Sequence, residues 1–319
     1  MSLEQLFEQT VDDETGNVNS PRWQFTYQFN QLDLGGYKNG TSNLSQDEVL
    51  WRGPGNPRTN ENFPVLPTNI SQQVHIFRIG RTLTTKTRLS LTIPMIRQST
   101  DHISIVPGYG NFIIKSEGLG DIKVGIQHRI EIDWPGNISL NAGLSVPTGS
   151  IDELGDTPRS PGEQQLPYTM QLGSGTWDVT LGYLWSSADS KWRSSAKTII
   201  RLGKNDRNYR LGNHYSTLLI RQFELVSIFR PYMGLELRLL EKIDGQDDEI
   251  TVPGNFPYPA SITNPDLFGG TSINLLAGAE LKTQYGAWQI DLGSPLYQNL
   301  NGPQSQNKLK FSLQFSRAL

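Results

Sequence analysis

At 319 residues, with 28 basic and 31 acidic side chains, a net charge of −3 and no cysteine, the chain excludes disulfides, thiolate nucleophiles and cysteine-based metal sites, and it offers no global positive field to nucleic acid. Mean hydropathy is −0.43 and 36% of residues are apolar. No run of about 18 apolar residues occurs, which excludes helical membrane spans. A β-barrel wall needs apolar residues only at alternate positions, so a hydrophilic average leaves that architecture open.

In chain order, residues 1–21 are polar and acidic and read as an N-terminal periplasmic extension. They lack a basic stretch followed by an apolar one, so a secretion signal is expected to have been removed ahead of residue 1. Strand-like segments follow at about 22–32, 72–82, 87–97, 121–131, 137–147 and 175–185, and then at about 191–202, 214–224, 231–241, 271–282, 287–294 and 307–318. Most are near the roughly 9 to 11 residues that cross a bilayer at a tilt. The clearest alternate with period two: Trp23, Phe25, Tyr27 and Phe29 against Gln24, Thr26, Gln28 and Asn30; Ile138, Leu140, Ala142, Leu144 and Val146 against Ser139, Asn141, Gly143 and Ser145; Leu309, Phe311, Leu313 and Phe315 against Lys308, Lys310, Ser312, Gln314 and Ser316.

The links between segments alternate in length. Short ones fall at 83–86, 132–136, 186–190, 225–230 and 283–286, and long ones at 35–71, 98–120, 148–174, 203–213, 242–270 and 294–307. Long ones are rich in Pro, Gly, Asn and Asp, as in Trp51-Arg-Gly-Pro-Gly-Asn-Pro57. The pattern predicts an all-β fold over 22–319. It would be a single antiparallel up-and-down transmembrane β-barrel of about 12 strands, with short periplasmic turns, long extracellular loops and both termini in the periplasm. Such a barrel belongs in a bacterial outer membrane, surrounded by its lipids and lipopolysaccharide. A soluble sandwich or lipocalin-like barrel would turn the same apolar face inward. Aromatic residues near predicted strand ends, namely Trp23, Tyr183, Trp185, Trp192, Tyr215, Tyr232, Tyr285 and Trp288, favour a membrane with interfacial girdles.

Three phrases carry a resemblance. Gly118-Leu-Gly-Asp-Ile-Lys-Val-Gly125, Leu144-Ser-Val-Pro-Thr-Gly149 and Leu172-Gly-Ser-Gly175, in this order and spacing, resemble the outer-membrane transporter family named for the meta-pathway of phenol degradation, and its relatives of unknown function. The resemblance covers roughly residues 70–203. It implies an outer-membrane barrel that passes small apolar or aromatic compounds, and no catalytic residues carry over. Independently of any family, Gly118, Gly120 and Gly125 permit close backbone approach, Asp121 suits a turn cap, and Pro147 suits a strand end. The C-terminus is similar to the final strand that barrel-assembly machinery reads, with Leu309, Phe311, Leu313, Phe315 and Leu319 on one face and Arg317 interrupting.

Chemistry is sparse. His214 and Ser216 share a strand face, as base and nucleophile would. Barrel lipases of the outer membrane use such a pair, but their orienting residue falls where this chain has Ile228, and Glu224 is the nearest acid. The competing reading is a rim histidine. Asp152, Glu153 and Asp156, and then Asp244, Asp247, Asp248 and Glu249, are carboxylates crowded on loops, which can bind calcium, but they match no EF-hand spacing and the preferred reading is solvated loop charge. No cofactor motif is present.

With apolar residues outward, the lumen would be lined by Arg88, Lys123, Arg129, Glu131, Asp178, Arg193, Lys197, Arg201, Glu236, Arg238, Glu280 and Lys282, joined by Asp291, Lys308 and Lys310. Rings of basic groups favour anions, whereas paired charges fill a narrow bore. The function expected is a passive channel or transporter for small molecules, not an enzyme. The alternatives are a lipid-modifying hydrolase using Ser216 and His214, and a non-conducting structural or adhesive barrel.

Overall fold

The computed structural model describes residues 23–132 and 135–319; the predicted N-terminal extension lies outside the described residues. In chain order the strands are β1 (Trp23–Gly40), β2 (Ser42–Leu44), β3 (Val65–Thr82), β4 (Thr87–Ser104), β5 (Asn111–Leu119), β6 (Ile122–Ile130), β7 (Asn137–Val146), β8 (Leu154–Asp156) and β9 (Glu163–Gln165). They continue with β10 (Trp177–Ser186), β11 (Trp192–Leu202), β12 (Tyr209–Arg210), β13 (His214–Gln222), β14 (Phe229–Leu240), β15 (Asp244–Gly245), β16 (Gly270–Thr283) and β17 (Gly286–Ala318). Among the described residues, no helix is long and apolar enough to cross a membrane.

One antiparallel sheet runs β17-β16-β14-β13-β11-β10-β7-β6-β4-β3-β1, and a β17–β1 pairing closes it into a barrel of eleven strand elements; β2 and β5 belong to the same sheet but lie outside the ring. Closure removes the unpaired edges that an open sheet would present. Two small two-stranded sheets stand in the long loops: the β8–β9 hairpin, and β12–β15, which joins the loop after β11 to the loop after β14.

The polarity of the wall is inverted relative to a soluble barrel. On β14, Met233, Leu235, Leu237 and Leu239 are 44–49% exposed, while Tyr232, Glu236 and Arg238 between them are 2–4% exposed. The same division runs round the ring: Leu89, Leu91, Val124, Ile126, Leu140, Leu181, Leu219, Ile290 and Leu292 face out, and Thr26, Gln28, Asn30, Gln98, Thr100, Ser145 and Ser312 are buried. A water-facing surface of this kind is an unfavourable apolar patch, and a hydrocarbon solvent removes the penalty. The soluble-sandwich reading therefore fails on the orientation of the faces. Trp23, Trp192 and Trp288 are exposed, and at the short-turn end Arg81 lies 5.1 Å above the Trp23 ring and Arg221 lies 4.9 Å above Trp192. Tyr232 is a correction to the predicted girdle. It shares parity with Glu236 and Arg238, so its ring points inward, and its hydroxyl donates to Asp291.

Strands β1, β3 and β4 are each 18 residues long, well beyond the predicted 22–32, 72–82 and 87–97. The extensions begin where the outer face turns polar, at Gln31 and Asp33 of β1, Gln73 of β3 and Arg97 of β4, which pairs with Glu117 at 3.5 Å. Apolar alternation ends there, but backbone pairing continues. Such lengthening is not the rule elsewhere: β6, β7, β10, β11 and β13 keep to 9–11 residues. β5 pairs with the upper part of β4, inside what the sequence reads as a loop at 98–120. β17 has 33 residues; its stretch 286–300 pairs with β16 and its stretch 300–318 pairs with β1.

Candidate functional site

The interior divides into a charged chamber and a cap. The chamber is a cavity of about 210 Å³ toward the short-turn end, bounded by strands from β1 round to β14. Its width comes from inward positions that carry no side chain: Gly80, Gly125, Gly143 and Gly182 all line it. A Cβ at Gly182 would stand 2.5 Å from the Ala196 carbonyl oxygen, so no other residue fits there without moving the strand. Four cationic residues, Arg78, Arg88, Lys123 and Lys197, line the space with a single carboxylate, Glu236. Cross-strand register explains the grouping, because Arg88, Gln127, Asn141, Gly182, Lys197, Ser216 and Arg238 are successive partners along one diagonal of the inner wall.

The sequence-derived lumen set is distributed unevenly. Arg88, Lys123, Lys197 and Glu236 line the chamber, and Arg88 donates to Gln24. Glu236 accepts from Arg238 at 2.8 Å and from Asn274 at 3.2 Å. Asp178 and Arg201 form an ion pair, both within 2% of full burial. Arg193 is buried with its guanidinium 5.7 Å from the Tyr232 ring. Glu280 is buried, accepts from Gln222 and pairs with the half-exposed Lys282 at 3.3 Å. Lys310 and Asp291 are buried, whereas Lys308 is exposed; register shifts beside Leu34 separate the two lysines. Arg129 is partly buried, and Glu131, beyond the end of β6, is exposed and paired with Lys86 at 2.7 Å. Burying so many charges is tolerable only because they meet partners inside. Sequence reading missed Arg78 because the residues that share its parity, Val74 and Ile76, are apolar and argue for an outward face, whereas the structure turns all three inward.

At the long-loop end the inner wall turns apolar. Leu32 and Leu34 of β1, Val74 and Ile76 of β3, and Ile96 of β4 are buried against Leu172, Ala260 and Ile262, which come from two long loops. Polar contacts fix the same loops: Gln98 donates to the Gln171 carbonyl at 3.2 Å, Ser116 to the Met170 carbonyl at 2.7 Å, and Gln304 to the Leu267 carbonyl at 2.7 Å. The loops at 147–176 and 241–269 thus cover the inner face of β1, β3 and β4.

The three glycine-containing phrases meet here. Asp121 is buried, and its carboxylate accepts from the Gly149 amide at 2.9 Å, the Ser174 amide at 2.8 Å and the Ser174 hydroxyl at 2.9 Å. Gly149 and Gly173 touch back to back: a Cβ on Gly173 would lie 2.4 Å from the Gly149 oxygen and 2.7 Å from Asp121 Oδ1. The Ser174 hydroxyl also bonds Asp178 at 3.0 Å, which ties this knot to the Asp178–Arg201 pair. A second clasp is Arg207, on the loop between β11 and β13. It reaches Asp152 at 2.7 Å, Glu249 at 3.0 Å and Asp247 at 3.4 Å, joining three loops. Burial alone would lower the Arg207 guanidinium, but its bonds to Glu249 and Asp152 outweigh that and raise it. Burial pushes the Asp247 carboxyl up, against the Glu249 amide and Arg207, which pull it down. Tyr168 packs edge-on against Tyr209 and Phe268 at 4.8 and 5.6 Å, and its hydroxyl accepts from the Asp247 amide.

Of the acidic loop residues, Asp152, Asp247 and Glu249 pair with Arg207 and Asp244 with Arg210 and Lys204, whereas Asp156 accepts from the Tyr109 hydroxyl and Asp248 from Gln246; among the described residues no group of three or more His, Asp or Glu is arranged to hold a metal ion. His214 is fully buried and Ser216 half-buried on the chamber wall between Lys197 and Arg238. Ile228 and Glu224 lie exposed in the turn after β13. The six residue steps of strand from Ser216 to Gln222 already span about 20 Å, and Glu224 lies two residues beyond the end of β13.

No family model matches the chain, the family resembled by its glycine-containing phrases included, and no curated protein matches it. Solved structures do. The chain is similar to an outer membrane channel from Pseudomonas putida F1, with 13% identity, a TM-score of 0.58, and coverage of 97% of this chain and 100% of that one. It is also similar to the translocator domain of the autotransporter NalP from Neisseria meningitidis, with 10% identity, a TM-score of 0.50, and coverage of 96% and 90%. The chain has the fold of outer-membrane β-barrels.

Proposed function

We propose that the protein is an outer-membrane channel that passes small molecules by passive diffusion through a narrow lumen, with the long loops forming an extracellular gate. The observation that carries this reading is the inverted wall, in which leucines face out and charged side chains face a glycine-widened cavity. The balance of four cations to one carboxylate in the chamber favours anionic solutes or anionic forms of aromatic compounds. The likeness to an outer membrane channel supports the same reading at the level of fold. Membership of the transporter family resembled in sequence is part of this proposal, as are periplasmic short turns, periplasmic termini and contact with lipids, lipopolysaccharide and assembly machinery.

We infer that β17 is two staves, which makes twelve. A ring of eleven elements cannot be antiparallel at every joint, yet β17 pairs antiparallel with both β16 and β1. Gly302, at φ 66°, lies where the pairing passes from one neighbour to the other, and Gln298 and Asn307 exchange two hydrogen bonds across it. The far ends meet as well, with the Trp288 and Phe315 rings 4.7 Å apart. The stretch 286–300 then rises and the rest of the strand descends, matching the even strand number of single-chain outer-membrane barrels.

An enzymatic role has little support, since Ser216 sits between two cations and far from the nearest predicted acid. Single-channel recording in planar bilayers tests the channel reading. Brief, anion-preferring openings are expected of the native protein, and longer ones of Arg207→Ala, which loosens the loops. Absence of any conductance from both would reject it.

A further inference from the structure

The chamber wall carries more than charge. Between its cationic side chains stand Gln127 of β6, Asn141 of β7, Thr180 of β10, Ser195 of β11 and Ser216 of β13, all half-buried on the cavity. Gln127 and Asn141 are cross-strand partners, and Ser216 is opposite Lys197, so amides and hydroxyls are interleaved with the cations. Among the described residues, none of these five side chains has a hydrogen-bond partner in the protein. Inward hydrocarbon comes from Ile76, Leu184 and Leu218, and no aromatic ring turns into the space. Tyr183, the one ring of the lining, shares parity with the exposed Leu181, and its hydroxyl meets that of Ser194 at 3.2 Å.

A cavity of roughly 150 Å³ holds benzene, so a chamber of about 210 Å³ has room for a six-membered ring with substituents. A solute that enters displaces the water bound at the amides and hydroxyls. Ring hydroxyls replace those waters bond for bond, whereas a bare ring leaves the protein groups unpaired. We propose that the chamber is a selective site for hydroxylated carboxylates, the single-ring sugar acids, over ring carboxylates of the same size that lack hydroxyls. The cations hold the carboxylate, and Gln127 and Asn141 bond the hydroxyls. The proposal rests on the channel reading for the route by which a solute reaches the chamber, but binding at equilibrium requires no net flux.

The experiment titrates the full chain in nanodiscs with methyl β-D-glucuronide and with cyclohexanecarboxylate, which has a six-membered ring and the same charge but no hydroxyl. Methyl signals of Ile76, Leu184 and Leu218 report the chamber, and those of Leu235 and Leu237 on the outer face report partition into lipid. Saturable chamber shifts are expected, with the glucuronide half-saturating at a concentration about tenfold or more below that of cyclohexanecarboxylate. Asn141→Leu is expected to remove most of that ratio, and Lys197→Met to weaken both acids while keeping it; Gln127→Leu serves if Asn141→Leu fails to fold. Equal or reversed affinities, or a ratio unchanged in the folded amide variants, would overturn the proposal while leaving a conducting channel in place. Chamber shifts with neither acid would overturn it too, and with no conductance recorded the channel reading falls as well.

Discussion

Replacing Asp121 is the sharpest test of how the loop cap is held. Its carboxylate satisfies the amides of Gly149 and Ser174, both in a buried knot where Gly149 and Gly173 leave no room for a substitute side chain. In Asp121→Ala both amides lose their acceptor, at about 1–3 kcal/mol each. The Ser174 hydroxyl loses less, because the Thr176 carbonyl at 3.1 Å and Asp178 at 3.0 Å remain available to it. Relief of the repulsion between Asp121 and Asp178, which share that hydroxyl, offsets part of the loss, leaving a net cost of about 2–4 kcal/mol. The cost is local, so it appears as opening of the loop at 147–176 before the barrel itself yields. Hydrogen exchange at Gly149 and Ser174 is expected to accelerate on the order of 30- to 1,000-fold, with exchange in β14 unchanged. Asp121→Asn keeps one acceptor oxygen and is expected to fall between the two. Native exchange rates in Asp121→Ala would refute the reasoning, since the three phrases would then be held by something other than this carboxylate.

Arg207→Ala removes the clasp between three loops and leaves the buried Asp247 with the Glu249 amide as its remaining donor; protease cleavage near residues 152 and 249 is expected to rise by about tenfold or more, from a cost of roughly 2 kcal/mol. The Asp244 carboxyl is held below its ordinary 3.8 chiefly by its hydrogen bond from Arg210. Its folded value lies under the unfolded one, so the stabilisation of the β12–β15 pairing is present above that ordinary value and fades as pH falls through the lowered one; the protection factor of the Gly245 amide, its exchange rate taken relative to the unfolded chain at each pH, is expected to fall between pH 6 and pH 2, and a pH-independent protection factor would contradict it. Lys197→Glu changes the chamber from four cations and one acid to three and two; reversal potentials in a salt gradient should lose most of their anion preference. Ser216→Ala is expected to leave any turnover of phospholipid or lipopolysaccharide by the purified protein at background, as in the native chain; native turnover that the substitution abolishes would instead revive the hydrolase reading.

Period two exposed the wall because it is a local property: Leu235, Leu237 and Leu239 need no distant information to be grouped on one face. It did not tell which side of the sheet is the outside, and it stopped short where the outer face of β1, β3 and β4 turns polar at Gln31, Gln73 and Arg97. Tyr232 was placed in the girdle by its position near a strand end, whereas its parity with Glu236 put it inside. Gly118, Asp121, Gly149 and Gly173 were legible as special, but their meeting in one knot depends on loops 28 and 53 residues apart in sequence. Arg207 carried no local signal at all. Its role appears only once three loops converge on it.

The central claim is that leucines face acyl chains and charges face an aqueous chamber, and the cysteine-free chain permits its direct test. Spin labels at Leu91→Cys and Leu237→Cys in liposomes should collide readily with oxygen and poorly with a water-soluble nickel chelate, while labels at Gln127→Cys and Ser216→Cys should show the reverse order. Labels at Leu91 and Leu237 that meet the chelate freely, with Gln127 and Ser216 exposed to oxygen alone, would contradict the account.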